Sequence, residues 1–119
     1  MPQMNLRDLT DESGFDPDAI AASLRTTKGE IAATLGLSTD ALSRRSRISS
    51  VATQRRLREM VEILNRMQPH LGSALAAYAW YRSEPLPGFG GRTAEALVRD
   101  GHADWVRDYL DDAMAGGFA

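Results

Sequence analysis

Apolar residues recur at three- and four-residue spacing along most of the chain, and no segment shows a sustained two-residue alternation. The clearest stripe is Leu57, Met60, Val61, Leu64 and Met67, opposite a face of Arg55, Arg58, Glu59, Glu62 and Arg66. It predicts a long amphipathic helix over residues 51–68, closed by Pro69. A second stripe, Trp105, Val106, Tyr109, Leu110, Ala113 and Met114, predicts a final helix beginning at Asp104. Shorter helices are expected where start and stop signals bracket apolar residues. Asp16-Pro17 opens a helix through Ile20 and Leu24, and Thr27-Lys28-Gly29-Glu30 is a capping box for a helix over Lys28–Leu35. Gly36 ends that helix, and Ser38 or Thr39 starts the next, through Ala41, Leu42 and Arg45. Leu75, Ala76, Ala79 and Trp80 form a helix that stops by Ser83-Glu84, ahead of Pro85. Thr93 caps one that ends at Gly101. The expected fold class is all-α, an N-terminal helix-turn-helix bundle packed on a small C-terminal helical module. Residues 1–15, without periodicity, read as a mobile leader. Residues 16–68 form the helix-turn-helix region and residues 69–119 the C-terminal module.

Composition narrows the chemistry. The chain has 119 residues, enough for a core without staples, and no cysteine. His70 and His102 stand apart, so no metal site is expected. Residues 71–81 are the longest apolar run, well short of the roughly 20 residues a bilayer span needs. The N-terminus lacks a basic-then-apolar signal pattern, so a cytoplasmic protein of bacterial type is expected, with no membrane partner. No catalytic constellation or cofactor motif is recognisable. Gly88-Phe89-Gly90-Gly91 lacks the Gly-Lys-Ser/Thr ending of a phosphate loop. A binding protein, not an enzyme, is expected. The net charge of −2 divides unevenly: residues 1–27 carry −3, residues 28–66 carry +4 and residues 84–119 carry −4. Simple surface scatter accounts for this, or two surfaces for two partners.

Residues 28–47 follow the order of a DNA-reading helix-turn-helix. Ala32 is small where two helices cross, Gly36 permits the turn, and Leu37 and Leu42 anchor it. Thr39, Asp40, Ser43, Arg44 and Arg47 would face DNA bases and phosphates, and Arg55, Arg56 and Arg58 would add phosphate contacts or, as helix-face arginines more often are, stand solvated. The same geometry also serves purely structural packing. Arg45 stands where such motifs commonly hold an apolar residue, which leaves open a second helix that ends early or packs through Ile48.

The C-terminal half reads Trp80-Tyr81-Arg82-Ser83-Glu84-Pro85-Leu86-Pro87-Gly88-Phe89-Gly90-Gly91-Arg92-Thr93, then Leu97-Val98-Arg99-Asp100-Gly101, and closes Ala115-Gly116-Gly117-Phe118-Ala119. A Trp-bearing helix, a Pro/Gly loop, a helix ending Leu-Val-x-x-Gly and a final helix with a Gly-Phe tail resemble, in that order, the MbcA/ParS/Xre antitoxin family. With the helix-turn-helix, the resemblance covers about residues 28–119. It implies a RES-domain toxin partner, an enzyme that degrades NAD⁺, whose cleft the antitoxin's C-terminal segment enters or covers. The residues carried over are Met114, Gly116, Gly117, Phe118 and Ala119 with its carboxylate. It also implies operator binding as a homodimer within a larger toxin–antitoxin complex. Thr93-Ala94 departs from the Thr-Pro common at that helix start, which weakens the cap. On the residues alone, a glycine hinge followed by an aromatic anchor suits a partner's pocket, and a frayed terminus has the same composition. Trp80, Trp105 and Tyr109 are expected in the core. The alternative is a stand-alone helix-turn-helix regulator whose C-terminal half dimerises.

Overall fold

The computed structural model describes residues 6–11 and 14–116, and they form an all-α fold with one minimal two-stranded ribbon. In chain order the elements are α1 (Leu6–Leu9), β1 (Thr10–Asp11), β2 (Gly14–Phe15), α2 (Pro17–Ser23) and α3 (Lys28–Leu35). A 3-10 turn (Thr39–Leu42) follows, then α4 (Arg45–Ile48), α5 (Val51–Leu71), α6 (Ala74–Ser83), α7 (Ala94–Arg99) and α8 (Ala103–Gly116).

The start signals act as their chemistry dictates. The Asp16 carboxylate accepts from the Asp18 amide, and Thr27, Ser50, Ser73 and Thr93 each accept the amide three residues on. The capping box is only half formed. Glu30 donates its amide to Thr27, but its carboxylate takes the Thr26 hydroxyl instead of reaching back to the cap amide. Thr93 caps α7 without the customary proline, its hydroxyl 3.1 Å from the Ala96 nitrogen. Gly36, at φ 70°, ends α3 in the left-handed region, and Arg99 packs against it where a β-carbon would project.

Helix α5 is the axis of the core. Leu57, Met60, Val61, Leu64 and Met67 are buried as the stripe predicts, and Ile63 joins them, because helices pack on more than one side of α5. Pro69 does not end this helix but sits within its last turn, and Gly72 at φ 95° closes it. A proline here removes one amide bond near the end, where the turn tolerates its loss better than at mid-helix.

Two further expectations are corrected. Residues 6–11 and 14–15 are not a mobile leader: Leu9 is fully buried, and the Asp16 amide donates to its carbonyl at 2.7 Å. The Gln54 side chain holds the ribbon, accepting from the Phe15 amide (2.8 Å) and donating to the carbonyls of Phe15 (3.2 Å) and Ile48 (2.9 Å). The second correction concerns the segment after Gly36. It forms a 3-10 turn, a break at Ser43-Arg44, and one turn of α4, not a continuous helix. Arg45 is the first residue of α4 and is exposed, so the expected apolar anchor is absent and the helix is interrupted.

Tyr81 lies at the centre of the C-terminal half, fully buried, and its hydroxyl has no hydrogen-bond partner among the described residues. Burial, reinforced by Glu95 and Glu59, pushes its phenol far above the ordinary value of 10.0. The folded state therefore holds this proton where the unfolded chain has lost it, and stability declines as pH rises through about 10. Tyr81→Phe is expected to leave stability at neutral pH within about 1 kcal/mol of the parent, or above it, and to flatten the alkaline decline. Denaturant titrations at pH 7 and about pH 10.5 check this. A neutral-pH loss above about 2 kcal/mol would show that the hydroxyl is satisfied. Tyr78 behaves differently: its hydroxyl shares a 3.0 Å hydrogen bond with Thr34, which partly offsets the upward shift caused by burial.

Candidate functional site

The loop between α6 and α7 builds the most developed surface feature. Leu86 is buried and anchors it, while its amide donates to the Arg92 carbonyl at 2.9 Å. Pro85 and Thr93 bridge at its neck. Gly88, Gly90 and Gly91 all take positive φ, which winds the backbone tightly enough to lay Phe89 over α8. There its ring stands 6.3 Å from Trp105, nearly stacked, and 6.3 Å from Tyr109, edge-on. His102 stacks on Trp105 at 3.6 Å. The Arg92 guanidinium lies 5.9 Å from the centre of the Trp105 ring and 3.6 Å from the Asp100 carboxylate.

An open groove of about 850 Å³ lies here, lined by Pro87, Gly88, Phe89, Gly90 and Arg92 of the loop and by Trp105, Asp108, Tyr109 and Asp112 of α8. A second cavity of about 450 Å³ shares Pro87 and Tyr109 with it and continues towards Trp80 and Leu71. Leu71, Leu75 and Trp105 are each more than a third exposed, at 39%, 37% and 37%. The expectation that Trp80, Trp105 and Tyr109 belong to the core is therefore corrected. Trp80 and Tyr109 are half-buried and Trp105 is exposed, and all three line grooves. Helical spacing fixes that they share faces but not which face is covered, and the loop leaves this one open.

Helix α8 is tied to α5 from outside the core. Arg66 meets Asp111 at 2.8 Å and lies 3.4 Å from the Met114 sulfur, and Arg107 meets Glu62 at 3.3 Å. Of the sequence-assigned toxin-binding residues, Met114 is half-buried against the molecule's own core, and Gly116, the last residue of α8, is exposed. Gly117, Phe118 and Ala119 lie outside the described residues.

The sequence-assigned DNA-binding residues are all exposed, but not on one helix. Thr39 and Asp40 are on the 3-10 turn, Ser43 and Arg44 in the break, and Arg47 on α4. Arg44, Arg45 and Arg47 form a basic corner and make no ion pair among the described residues. Arg56 is not a phosphate contact. Its Nη1 turns inward and donates to the carbonyls of Leu35 (3.3 Å), Val98 (3.1 Å) and Arg99 (3.0 Å), joining the C-terminal ends of α3 and α7.

Residues 68–117, the last turn of α5 through α8, match the family model of the antitoxin Xre/MbcA/ParS C-terminal toxin-binding domain. This segment belongs to the Xre/MbcA/ParS antitoxin family. No curated protein and no solved structure matches the chain.

The whole lining of the larger groove falls within the segment that matches this toxin-binding domain. Sequence reasoning assigned toxin binding to Met114 and the tail and did not single out this groove. One signal could have found it: an aromatic in a glycine-rich loop, Phe89, has no helical face to bury it. No helix among the described residues is long and apolar enough to cross a membrane. Among them, no group of three or more metal-ligating side chains is placed to hold an ion.

Proposed function

We propose that this antitoxin neutralises a RES-domain toxin that degrades NAD⁺, acting by binding and not by catalysis. In this reading Gly116, Gly117, Phe118 and Ala119 occlude the toxin's active-site cleft, and Met114 fixes the helix end from which they depart. The order of Trp-bearing helix, Pro/Gly loop, α7 and α8 within the matched segment carries this reading. Two features of α8 support it physically. Its cross-links to Arg66 and Glu62 set the direction in which the chain leaves the helix. Gly116 then stands in open space, with nothing within 4 Å of where a β-carbon would be. The test is an NAD⁺-consumption assay with a RES-domain toxin encoded beside this gene. Addition of one equivalent of the antitoxin should stop turnover; undiminished consumption by a stoichiometric mixture refutes the proposal.

The basic corner favours a second, compatible activity, repression of the antitoxin's own operon by a homodimer. The interrupted second element does not suit a recognition helix lying along a major groove. The proposed contacts are therefore mainly to phosphate, through Arg44 and Arg47, with Thr39, Asp40 and Ser43 beside them. Arg44→Ala with Arg47→Ala removes two contacts from each protomer of the dimer and is expected to weaken operator binding and to reduce the slope of log K against log salt by about 4. Fluorescence anisotropy across a salt series measures this, and an unchanged slope would remove these arginines from the interface.

A further inference from the structure

We infer that the groove between the Pro/Gly loop and α8 is the docking site for a basic side chain, arginine above all, presented by the antitoxin's protein partner. The inference rests on the toxin-binding reading of residues 68–117 and adds to it the chemistry that the groove selects.

Three observations combine. The walls are aromatic: Phe89, Trp105 and Tyr109 line one cavity, with Phe89 6.3 Å from each of the other two rings. Such walls offer negative ring faces to a cation that has shed part of its water. The rim is acidic. Asp108 and Asp112 lie one helical turn apart on α8, both exposed and without a cationic partner among the described residues. Carboxylates at that spacing repel each other slightly and gain from a shared cation. Finally, a guanidinium is already held in this environment: Arg92 lies over Trp105 with its charge taken up by Asp100. Arg92 lines the same groove but makes no ion pair with Asp108 or Asp112, and its position indicates which functional group these surfaces favour. A planar guanidinium fits better than an ammonium, because it can lie against a ring while its N–H groups reach a carboxylate.

The charge of the whole segment points the same way. Residues 84–119 carry −4, so a basic partner surface is drawn towards this end of the molecule before it docks. The neighbouring cavity, reaching Trp80 and Leu71, extends the same surface with apolar walls for the residues flanking the inserted side chain.

The experiment follows the Trp105 indole N–H signal of the isotope-labelled full chain during titration with a capped tri-arginine peptide, with capped tri-glutamate as control. A saturable shift with tri-arginine is expected, weakened about tenfold or more in Asp108→Asn/Asp112→Asn. Both substitutions are at exposed positions and preserve shape, so an unchanged thermal melt shows that the fold persists. The proposal is overturned if tri-arginine produces no shift, if the double variant responds like the parent, or if tri-glutamate shifts the signal equally. It is also overturned if the signal moves on dilution of the antitoxin alone and this movement is lost in Arg44→Ala/Arg47→Ala. The groove would then hold a second copy's basic corner. No toxin enters this titration, so its failure leaves the tail-occlusion proposal standing. Continued NAD⁺ consumption in the toxin assay leaves the titration intact.

Discussion

An antitoxin lacking residues 116–119 is expected to bind its toxin and yet fail to inhibit it. The expectation follows from the proposed division of labour along α8. The groove residues lie between Pro87 and Asp112, and all of them remain in the truncated chain. What is lost is the glycine exit and the aromatic Phe118, the parts proposed to reach the active-site cleft. An aromatic anchor in a closed pocket contributes about 2–4 kcal/mol to binding when truncated, so affinity should fall by at least about 30-fold without vanishing. Inhibition should disappear more completely, because an open cleft admits substrate whether or not the rest of the antitoxin is docked. Calorimetry on the mixture, with NAD⁺ turnover measured on the same samples, separates the two effects. A truncated chain that still stops turnover at stoichiometry excludes occlusion by the tail. One that no longer binds at all places the whole interface there and empties the groove of its role.

Arg56→Ala is expected to cost about 2–4 kcal/mol of folding stability, more than any other surface-derived arginine in the molecule. Its guanidinium nitrogen satisfies carbonyls at the ends of two helices, α3 and α7, from a position on a third. Helix C-termini carry unpaired carbonyls and partial negative charge, and a cation held there is favourable on both counts. Truncation leaves the Leu35 and Arg99 carbonyls to find water in a partly buried junction, while Val98 keeps the Gly101 amide. Arg56→Lys should recover only part of the loss, since its shorter side chain does not carry the ammonium to the position of Nη1. Exposed Arg58, on the same helix, is the control, and Arg58→Ala should stay within about 0.5 kcal/mol of the parent. Denaturant unfolding of the three variants tests this. A loss below about 1 kcal/mol for Arg56→Ala would mean that solvent replaces the guanidinium freely.

Arg56 also shows where sequence reasoning stops. Arg55, Arg56 and Arg58 look alike as neighbours in a helix start, and all three read as solvated arginines or phosphate contacts. The structure separates them because a 100° step per residue turns Arg56 towards the α3–α7 junction while Arg55 and Arg58 stay exposed. The ribbon near the N-terminus was illegible for the same reason. Its partner, Gln54, lies 39 residues away from Phe15, and a pairing so distant leaves no local periodicity.

The sequence by itself determined what depends on short range. Side-chain oxygens at Asp16, Thr27, Ser50, Ser73 and Thr93 begin helices because each bonds an amide two or three residues on. Gly36 ends one because only its backbone adopts the left-handed turn without strain. The stripe on α5 is core because residues at three- and four-residue spacing share a face. The order of elements in the C-terminal half was likewise local enough to resemble the toxin-binding family.

Tertiary structure decided what is covered and what is left open. Trp105 and Tyr109 share the α8 stripe with Val106 and Leu110, yet only the latter two are buried, because the Pro/Gly loop supplies one ring and no lid. Leu9 became core and the second half of the helix-turn-helix broke in two, one through a distant neighbour and the other through the lack of an apolar anchor at Arg45. Periodicity states which residues face the same way. Whether that direction is protein or water depends on chain segments remote in sequence, and their packing alone settles it.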